Sequence, residues 1–291
     1  MGVLPHTLPV TLREARQSRR LSQLELSMRV GVSQRHVSFV ESGRAKPSRD
    51  LLMSWLQVLE APLALQNAAL MQAGFAPAYS CALLDDPTLA HANAALMQLL
   101  CTHDPMPAMV ISKEWDLLHI NRGTRWLATT LTPWASDVIA NHSLNMLDML
   151  LHPEGLTRSL LNLDEAGPVF LSELRDDASL HPQLMPKVEA FAELLRERLG
   201  NGGLQSGWPA RPTPLLTLRF ESVYGDLAFF RMYSTFGSPR DITLSSLRVE
   251  HLFAADLETK AILSHHVEVD NPCATGLPSM SGPDGTQQND F

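Results

Sequence analysis

The chain has 291 residues, of which 45% are hydrophobic and 19% charged. This composition is typical of a folded globular protein and excludes a disordered or collagen-like chain, and the length suggests two domains. The sequence has no secretory signal and no apolar run long enough to span a membrane, and its three cysteines show no CxxC spacing. We therefore expect a cytoplasmic protein with no structural metal site, no disulfide framework and no membrane partner.

The net charge of −8 hides a marked asymmetry along the chain. Between Leu12 and Asp50, nine lysines and arginines outnumber four acidic residues, so this stretch carries a net charge of +5. A basic segment on an otherwise acidic chain is typical of a regulator that contacts DNA with one end. Charge alone does not separate this interpretation from a chance cluster of solvated side chains.

The domain organisation follows from the positions of prolines, glycines and apolar periodicity. Residues 1–11 are predicted to form an N-terminal arm, residues 12–76 a helical domain, and residues 77–87 a linker. Residues 88–267 are predicted to form a second domain, and residues 268–291, which lose all periodicity, a disordered tail.

The second domain is predicted to contain two strands, a mostly helical middle and three further strands. The expected strands are residues 108–111, 115–120, 215–223, 227–236 and 246–254. This order predicts a five-stranded antiparallel sheet with helices on one side, as in PAS-type sensor domains. The predicted fold class of the chain is therefore α+β, with an all-α N-terminal domain and a PAS-like second domain.

The N-terminal domain contains the local signals of two helices joined by a tight turn. Ser22 and Glu25 have the spacing of a capping box at the start of a helix. Gly31 stands where the chain must turn sharply, because a residue without Cβ tolerates a left-handed backbone. Ser33 then caps the next helix. Val37 and Val40, three residues apart, supply the buried face of that helix.

This second helix leaves a set of side chains pointing away from the core near its N-terminal end. The candidate DNA-contacting residues there are Ser33, Gln34, Arg35, Ser38 and Phe39. In a helix-turn-helix this end enters the major groove, where Arg pairs with guanine and Gln with adenine. For Phe39, contact with a thymine methyl and simple packing are equally open.

The same segment resembles the helix-turn-helix of the Xre/lambda-repressor-like family. The resemblance is carried by Gly31-Val32-Ser33, by Glu41-Ser42-Gly43-Arg44 and by Pro47-Ser48, and it covers the predicted domain to about Phe75. It implies that Gln23, Arg44 and Lys46 contact DNA phosphates. Such contacts set the affinity and its salt dependence rather than the choice of sequence.

The second domain resembles the ligand-binding domain of MmyB-like transcription regulators over roughly residues 88–265. The resemblance is carried by Pro107 to Val110, by Trp115-Asp116 and by a C-terminal segment with Asp241 to Leu244 and Leu247 to Glu250, which is the most specific. It implies a PAS-like fold that binds a small lipid-like ligand such as a fatty acid.

Strand alternation gives the first candidates for the lining of such a pocket. The strand residues assigned to the inward face are Leu218, Phe220, Phe230, Met232 and Val249. A register shift by one residue would exchange the two faces of a strand. For each of these residues, an ordinary role in the core stays open.

The hairpin and the helical middle give the remaining candidates. Trp115, Trp126, Met146 and Met149 are predicted to line the pocket, since methionine adapts to a flexible chain. Arg122 is the candidate partner of a ligand carboxylate.

The sequence contains none of the hydrolase, metalloprotease, dinucleotide-binding or P-loop motifs, so we predict that the protein is not an enzyme. The expected partners are a double-stranded DNA operator, a lipid-like ligand and a second copy of the chain, because one helix-turn-helix reads only a half-site. No cofactor is expected apart from a bound fatty acid. Two alternatives stay open: the second domain is only a dimerisation or docking module, or, less favoured, an enzyme.

Overall fold

The structure is a computed structural model, and it describes residues 7–135, 144–203 and 215–267. The chain divides into two compact units. The first comprises the chain up to Leu84 together with Phe236–Ser245, and the second comprises Asp85–Thr235 and the chain from Ser246 onward. The predicted disordered tail and the first six residues of the predicted arm lie outside the described residues.

The first unit is a bundle of five short helices. They are α1 (Leu8–Ser18), α2 (Gln23–Val30), α3 (Gln34–Glu41), α4 (Arg49–Val58) and α5 (Leu63–Gln72). Residues 8–11, predicted to belong to an arm, form the first turn of α1 instead, with a proline in that turn, where its missing N–H costs nothing. The helices enclose an apolar core that includes Leu12, Leu26, Val37, Val40, Leu52, Trp55, Leu56 and Leu70.

The local signals that predicted the helix-turn-helix are confirmed. The Ser22 hydroxyl accepts a hydrogen bond from the Glu25 N–H at 3.1 Å, and the Glu25 carboxylate accepts one from the Ser22 N–H at 2.8 Å. Gly31 has a φ of 74°, in the left-handed region. Ser33 caps α3 by accepting a hydrogen bond from the His36 N–H. The two serine caps fix where α2 and α3 begin, and the left-handed backbone of Gly31 fixes where α2 ends.

A buried ion pair holds α3 against α1. Both oxygens of the Glu41 carboxylate accept hydrogen bonds from the Arg16 guanidinium, at 2.7 and 2.9 Å. The Glu41 side chain is only 1% exposed and that of Arg16 only 10%. The remaining Arg16 donor reaches the Leu21 carbonyl at 2.6 Å. Because Glu41 is the last residue of α3, this pair sets the position of the whole helix.

The second unit contains a five-stranded sheet with helices on both faces. Its strands are β1 (Ala108–Ile111), β2 (Leu117–Ile120), β3 (Thr217–Phe220), β4 (Leu227–Ser234) and β5 (Arg248–Ala254). Its helices are α6 (Ala90–His103), α7 (Arg122–Leu131), α8 (Met146–Leu151), α9 (Leu156–Ser159), α10 (Leu163–Leu180) and α11 (Met185–Gly203), and α13 (Leu257–His266) follows the last strand. A short helix, α12 (Ile242–Ser246), lies between β4 and β5.

The strands are all antiparallel in the order β2-β1-β5-β4-β3, so the predicted five-stranded antiparallel sheet is confirmed. Helices α7, α8, α10 and α11 contribute to one apolar core with one face of the sheet, which we call the inner face. Helix α6 contacts β1 and, with β4 and β5, borders a groove on the opposite, outer face.

Three features of the structure differ from the sequence-based expectation. Residues 236–245 were expected within the second domain but pack with the first unit. Helix α13 was not predicted; Asp256 caps it by accepting a hydrogen bond from the Thr259 N–H. Cys101 is disulfide-bonded, although the spacing of the cysteines predicted no disulfide framework, and Cys81 is free. Within the described residues, no helix combines the length and apolar composition needed to cross a membrane.

Replacing Glu41 with Gln leaves the buried Arg16 guanidinium without its counter-charge. We expect this change to lower the local stability of α1 and α3 by about 3–5 kcal/mol, because breaking a buried pair leaves an uncompensated charge. Hydrogen exchange of the amides of α1 and α3 measures the loss. The control is Glu60→Gln, which removes the exposed pair with Arg19 at 3.3 Å and should cost at most about 1 kcal/mol. Equal effects of the two changes would contradict the assignment.

Candidate functional site

Helix α3 presents the predicted recognition residues on its open face. Val37 and Val40 are buried, while Gln34 and Arg35 are exposed and Ser38 is half-buried. The first turn of α3 therefore offers an amide and a guanidinium in the positions that read base edges in this motif.

Phe39 carries two arginine side chains. The Arg35 guanidinium lies 5.1 Å from the centre of the Phe39 ring, and the Arg44 guanidinium lies 6.0 Å from it. Both distances are within the range of cation–π attraction. Phe39 is thus placed to hold Arg35, which is predicted to read bases, and Arg44, which is predicted to contact phosphate, on the same face. This packing role favours the second of the two interpretations left open for it.

The three residues assigned to phosphates by resemblance occupy different environments. Arg44 and Lys46 are exposed in the turn after α3, where Gly43 has a φ of 74°. The Gln23 side-chain amide instead donates to the Glu41 carboxylate at 2.8 Å. At the start of α2, this leaves the backbone N–H groups as the donors that face outward.

The second unit contains an apolar cavity between the inner face of the sheet and helices α7 to α11. The space open to the centre of a water-sized sphere is about 90 Å³. Its walls are almost entirely apolar. They include Met109, Trp115, Leu117, Leu127, Leu131, Met146, Met149, Leu150, Leu156, Leu160, Leu163, Phe170, Phe191, Leu218, Phe220 and Leu252.

Five of the ten predicted pocket residues line this cavity: Trp115, Met146, Met149, Leu218 and Phe220. Trp115 is fully buried, and the Leu218 and Phe220 side chains point from β3 towards the helices. The structure therefore brings together residues from the first hairpin, from α8 and from β3 that are more than 100 positions apart in the chain.

Two predicted pocket residues lie elsewhere on the helical side. Trp126 stacks with the rings of Tyr224 and His266, at 5.6 and 5.9 Å between centroids, and is not part of the cavity wall. Arg122 starts α7 beside Asp104, with which it interacts electrostatically. Arg122 is not among the residues that line this cavity.

Three predicted pocket residues, Phe230, Met232 and Val249, lie on the outer face of the sheet. In the register of β4 with β5, Met232 pairs with His251, whereas the cavity-lining Leu252 pairs with Arg231. The predicted faces of β4 and β5 were therefore shifted by one residue. The physical reason is that both faces of the sheet are covered, so apolar residues occur at consecutive positions and alternation does not identify the inner face.

One part of the cavity wall is polar. Glu250 lines the cavity from β5, and its residue surface is only 4% exposed. Its carboxylate lies 3.6 Å from the Arg231 guanidinium, beyond hydrogen-bonding distance. Burial raises the pKa of Glu250, against the opposing effect of Arg231 and Arg248. Glu250 is thus ion-paired with Arg231 within the sheet.

The arginines near Glu250 already have carboxylate partners. Arg231 donates to both oxygens of Glu173 at 3.0 Å and also to the Tyr233 hydroxyl at 2.6 Å. Arg248 pairs with Asp177 at 3.0 Å. Two arginines thus stand beside three carboxyl groups: Arg231 forms ion pairs with both Glu173 and Glu250, whereas the Nε and Nη2 atoms of Arg248 are buried without a hydrogen-bond partner.

Trp115 links this polar cluster to the cavity. The Arg248 guanidinium lies 4.0 Å from the centre of a Trp115 ring, and the Trp115 indole N–H donates to Asp177 at 2.8 Å. The indole therefore separates the apolar cavity from the Arg248–Asp177 pair. Of the charged residues in this cluster, Glu250 is the one that lines the cavity.

The outer face of the sheet has a separate groove between α6 and strands β4 and β5. His251 is hydrogen-bonded with Ser234 at 2.8 Å, and His103 with the Leu252 carbonyl at 3.1 Å. Burial lowers the pKa of His251, and the neighbouring His103 adds to the effect. The exposed Met232 belongs to this groove. Among the described residues, no three His, Cys, Asp or Glu side chains are grouped as metal ligands.

A network of hydrogen bonds fixes residues 236–245 within the first unit. The Ile242 N–H donates to the Ser80 carbonyl at 2.8 Å, and the Thr243 hydroxyl donates to the Ala82 carbonyl at 2.6 Å. The Asp241 carboxylate accepts hydrogen bonds from the N–H groups of Ala82, at 3.2 Å, and Thr243, at 2.8 Å. Burial raises the pKa of Asp241, but these bonds and one from Ser80 outweigh it and hold the pKa below its ordinary value.

The same network continues into α5. The Asn67 carbonyl oxygen accepts hydrogen bonds from the N–H groups of Ala78 and Tyr79, at 2.9 and 3.1 Å. Its amide donates to the Tyr79 carbonyl at 2.7 Å. Part of the predicted linker is therefore an ordered extension of the helical unit, and the segment between β4 and β5 is bound to that extension.

Comparison with known families assigns both parts of the chain. Residues 92–265 match the model of the MmyB-like transcription regulator ligand binding domain, and residues 12–66 match the model described as Helix-turn-helix. No curated protein matches the chain.

Proposed function

We propose that this chain, which belongs to the family of MmyB-like transcription regulators, responds to an apolar, lipid-like molecule held in the inner-face cavity. The two matched models make it a DNA-binding transcription regulator with a ligand-binding domain. The observation that carries the proposal is this cavity, whose walls are apolar except for Thr124, Thr157 and Glu250. Such a space lacks partners for water, and an apolar molecule fills it favourably.

The volume of the cavity limits the size of the ligand that fits without rearrangement. At roughly 10–15 Å³ for each water-sized position, the space takes about six to nine non-hydrogen atoms as it stands. This matches a medium-length acyl chain, such as that of a fatty acid. Met109, Met146 and Met149 lie in the wall, and methionine side chains rearrange easily, so a longer chain requires only local repacking.

The sheet order and the covered inner face support a PAS-like interpretation of the second unit. We also propose that the regulator acts as a cytoplasmic homodimer, since one helix-turn-helix reads only half of a palindromic operator. The alternative, a docking module without ligand, is less favoured because a docking domain does not need an apolar cavity between its sheet and its helices.

We further infer that residues 236–245 carry the ligand signal. They continue directly from β4 and lead into β5, the strand that supplies Leu252 and Glu250 to the cavity wall. The same residues are hydrogen-bonded within the DNA-binding unit through Asp241 and Thr243. A ligand that favours one arrangement of these strands would therefore bias the unit that binds DNA, as allosteric coupling requires.

Arg35→Ala and Arg44→Ala should affect DNA binding in different ways. The Arg35 change should remove about 1–3 kcal/mol of discrimination between the selected operator and random duplexes, because a base contact is lost. The Arg44 change should weaken binding to all duplexes alike and reduce the salt slope by about one. Binding-site selection followed by titration at several salt concentrations measures both. Arg219→Ala, an exposed arginine of β3, is the control. Wild-type behaviour of both variants would refute the recognition surface.

Leu218→Trp should block ligand binding, because the larger side chain fills the cavity from β3. We expect native mass spectrometry to detect a retained lipid in the wild-type protein and calorimetry with fatty acids of increasing length to find a preferred length. Leu218→Trp should weaken that binding at least about tenfold, since overpacking costs about 1–3 kcal/mol. Met232→Trp, the same change on the outer face, should leave it intact. Equal loss in both variants, or no binding by the wild type, would contradict the proposal.

Asp241→Asn should uncouple the two functions. The weaker acceptor loosens the bonds from the N–H groups of Ala82 and Thr243, so the ligand should change DNA affinity less in the variant than in the wild type, where a factor of roughly 5–150 is typical of allosteric coupling. Titrating DNA with and without a saturating fatty acid gives this factor. Asp226→Asn, at an exposed position, is the control. An unchanged factor in Asp241→Asn would exclude the segment as the route.

A further inference from the structure

Asp177 on α10 joins the wall of the inner-face cavity to the first residue of β5. One oxygen of its carboxylate, Oδ2, accepts a hydrogen bond from the Trp115 indole N–H at 2.8 Å and lies 3.0 Å from Nη1 of Arg248. Trp115 is fully buried and lines the cavity, and Arg248 begins β5. We call Trp115, Asp177 and Arg248 the Asp177 bridge. Through a single oxygen, this bridge connects a wall side chain with a central strand.

Arg248 stands where the chain returns from the first unit to the sheet. Residues 236–245 pack with the first unit, and β5 (Arg248–Ala254) starts three residues after Ser245. A displacement of Arg248 therefore acts on the end of the segment that is hydrogen-bonded within the DNA-binding unit. The bridge thus leads from the cavity wall to this segment in three side chains.

The Arg248 guanidinium is held on only one side. Its Nη1 meets Asp177, but its Nε and Nη2 atoms are buried without a hydrogen-bond partner among the described residues. The group lies instead on the Trp115 ring, 4.0 Å from a ring centre. Buried donors without acceptors cost free energy. A turn of the guanidinium that brings either donor to an acceptor is therefore favourable once the ring beneath it has moved.

An acceptor for these donors lies on the same strand. Glu250 is two positions beyond Arg248, so both side chains project from the same face of β5, and the two groups already interact electrostatically. The Glu250 carboxylate also lines the cavity. Arg248 thus has two carboxylates within its surroundings, Asp177 on the helix and Glu250 on the strand.

The corresponding arginine of β4 has no such freedom. Arg231 also lies on a ring of the cavity wall, 4.0 Å from the centre of Phe170. However, it donates to both oxygens of Glu173 and to the Tyr233 hydroxyl, so its position is fixed from several directions. This contrast singles out Arg248 as the arginine of the cluster that can change partner.

We propose that the Asp177 bridge transmits occupation of the cavity to β5. A ligand that displaces the Trp115 ring moves the donor of the indole bond and also the surface on which the Arg248 guanidinium lies. The guanidinium then turns, exchanges Asp177 for Glu250 as its partner and shifts the start of β5. This inference rests on the proposed function, because it assigns the first step of the response to the same ligand.

The proposal supplies the two arrangements that coupling requires. In the first, Arg248 is paired with Asp177 and the Trp115 ring occupies its present position; in the second, Arg248 is paired with Glu250 and the ring is displaced. A ligand shifts this equilibrium only if it binds one arrangement more tightly than the other. An acyl chain longer than the cavity meets that condition, since it fits only when a wall side chain such as Trp115 has moved.

The first test measures how strongly a ligand changes DNA affinity in variants of the bridge. The full chain is titrated with its selected operator, with and without saturating octanoic or dodecanoic acid. Asp177→Asn keeps an acceptor for the indole N–H but removes the charge that holds Arg248, and Arg248→Met breaks the pair from the strand side. Each should reduce the coupling factor by about 2–30-fold, the range typical of changes along a coupling network.

The controls separate coupling from binding and folding. Neither Asp177 nor Arg248 is among the residues that line the cavity, so calorimetry should find acid affinities within about threefold of the wild type for both variants. Asp176→Asn removes the neighbouring exposed carboxylate of α10 and should leave the coupling factor unchanged. Circular dichroism verifies folding.

Two further readouts distinguish a bridge from a merely structural contact. The double variant Asp177→Asn with Arg248→Met should lower the coupling factor no further than either single change, because residues on one route are not additive. The indole N–H resonance of Trp115, assigned with Trp115→Phe, should shift when the acid is added to the wild-type protein.

The outcomes separate this inference from the proposed function. If the acid binds and changes DNA affinity, but the coupling factor is unchanged in both single variants or their effects simply add, the bridge is overturned and the apolar sensor stands. An indole resonance that does not move on acid binding overturns it equally. If one variant does not fold, the other decides. If no acid binds the wild-type protein, the proposed function and the inference both fail.

Discussion

The register of β5 is the constraint on which the rest of the second unit depends. This strand lies in the middle of the sheet, between β1 and β4, and Glu250 is paired with Met109 on one side and Tyr233 on the other. Because side chains alternate across a pleated strand, this register sends Glu250 and Leu252 into the cavity and His251 into the outer groove. A shift of one residue would place the imidazole in the apolar space and remove its carboxyl group.

The same strand connects the cavity to the DNA-binding unit through a short covalent route. The segment before β5 is fixed by Asp241 to Ala82, and Ala82 follows the residues that Asn67 holds against α5. Hydrogen bonds that run from one element to the next are a route for coupling but do not by themselves create it. Coupling requires that the ligand bind two arrangements of this route with different affinity. Under the proposed function, a ligand larger than the cavity would provide such a difference, since filling the space would move its walls.

The sequence predicted the helix-turn-helix well because its signals are local. Ser22, Glu25 and Gly31 fix a cap and a turn with bonds between residues at most five apart, and these do not depend on the rest of the fold. The sheet is different. Phe230 and Met232 looked inward because β4 is apolar on both faces, and only pairing with β5, which is distant in the chain, determines which face meets the helices. No local sequence pattern predicts that residues 236–245 pack with the first unit.

The polar cluster also bears on whether the second unit is a sensor or a docking module. Burying two arginines and three carboxyl groups costs desolvation energy, and replacing such a cluster with apolar side chains often leaves a protein equally or more stable. Arg231 is bonded to Glu173, but Arg248 meets Asp177 through one nitrogen only and its Nε and Nη2 atoms are buried without a partner, so stability alone does not explain this cluster. A dimerisation domain has no use for polar groups in the wall of an internal cavity, whereas a domain that binds a ligand there does.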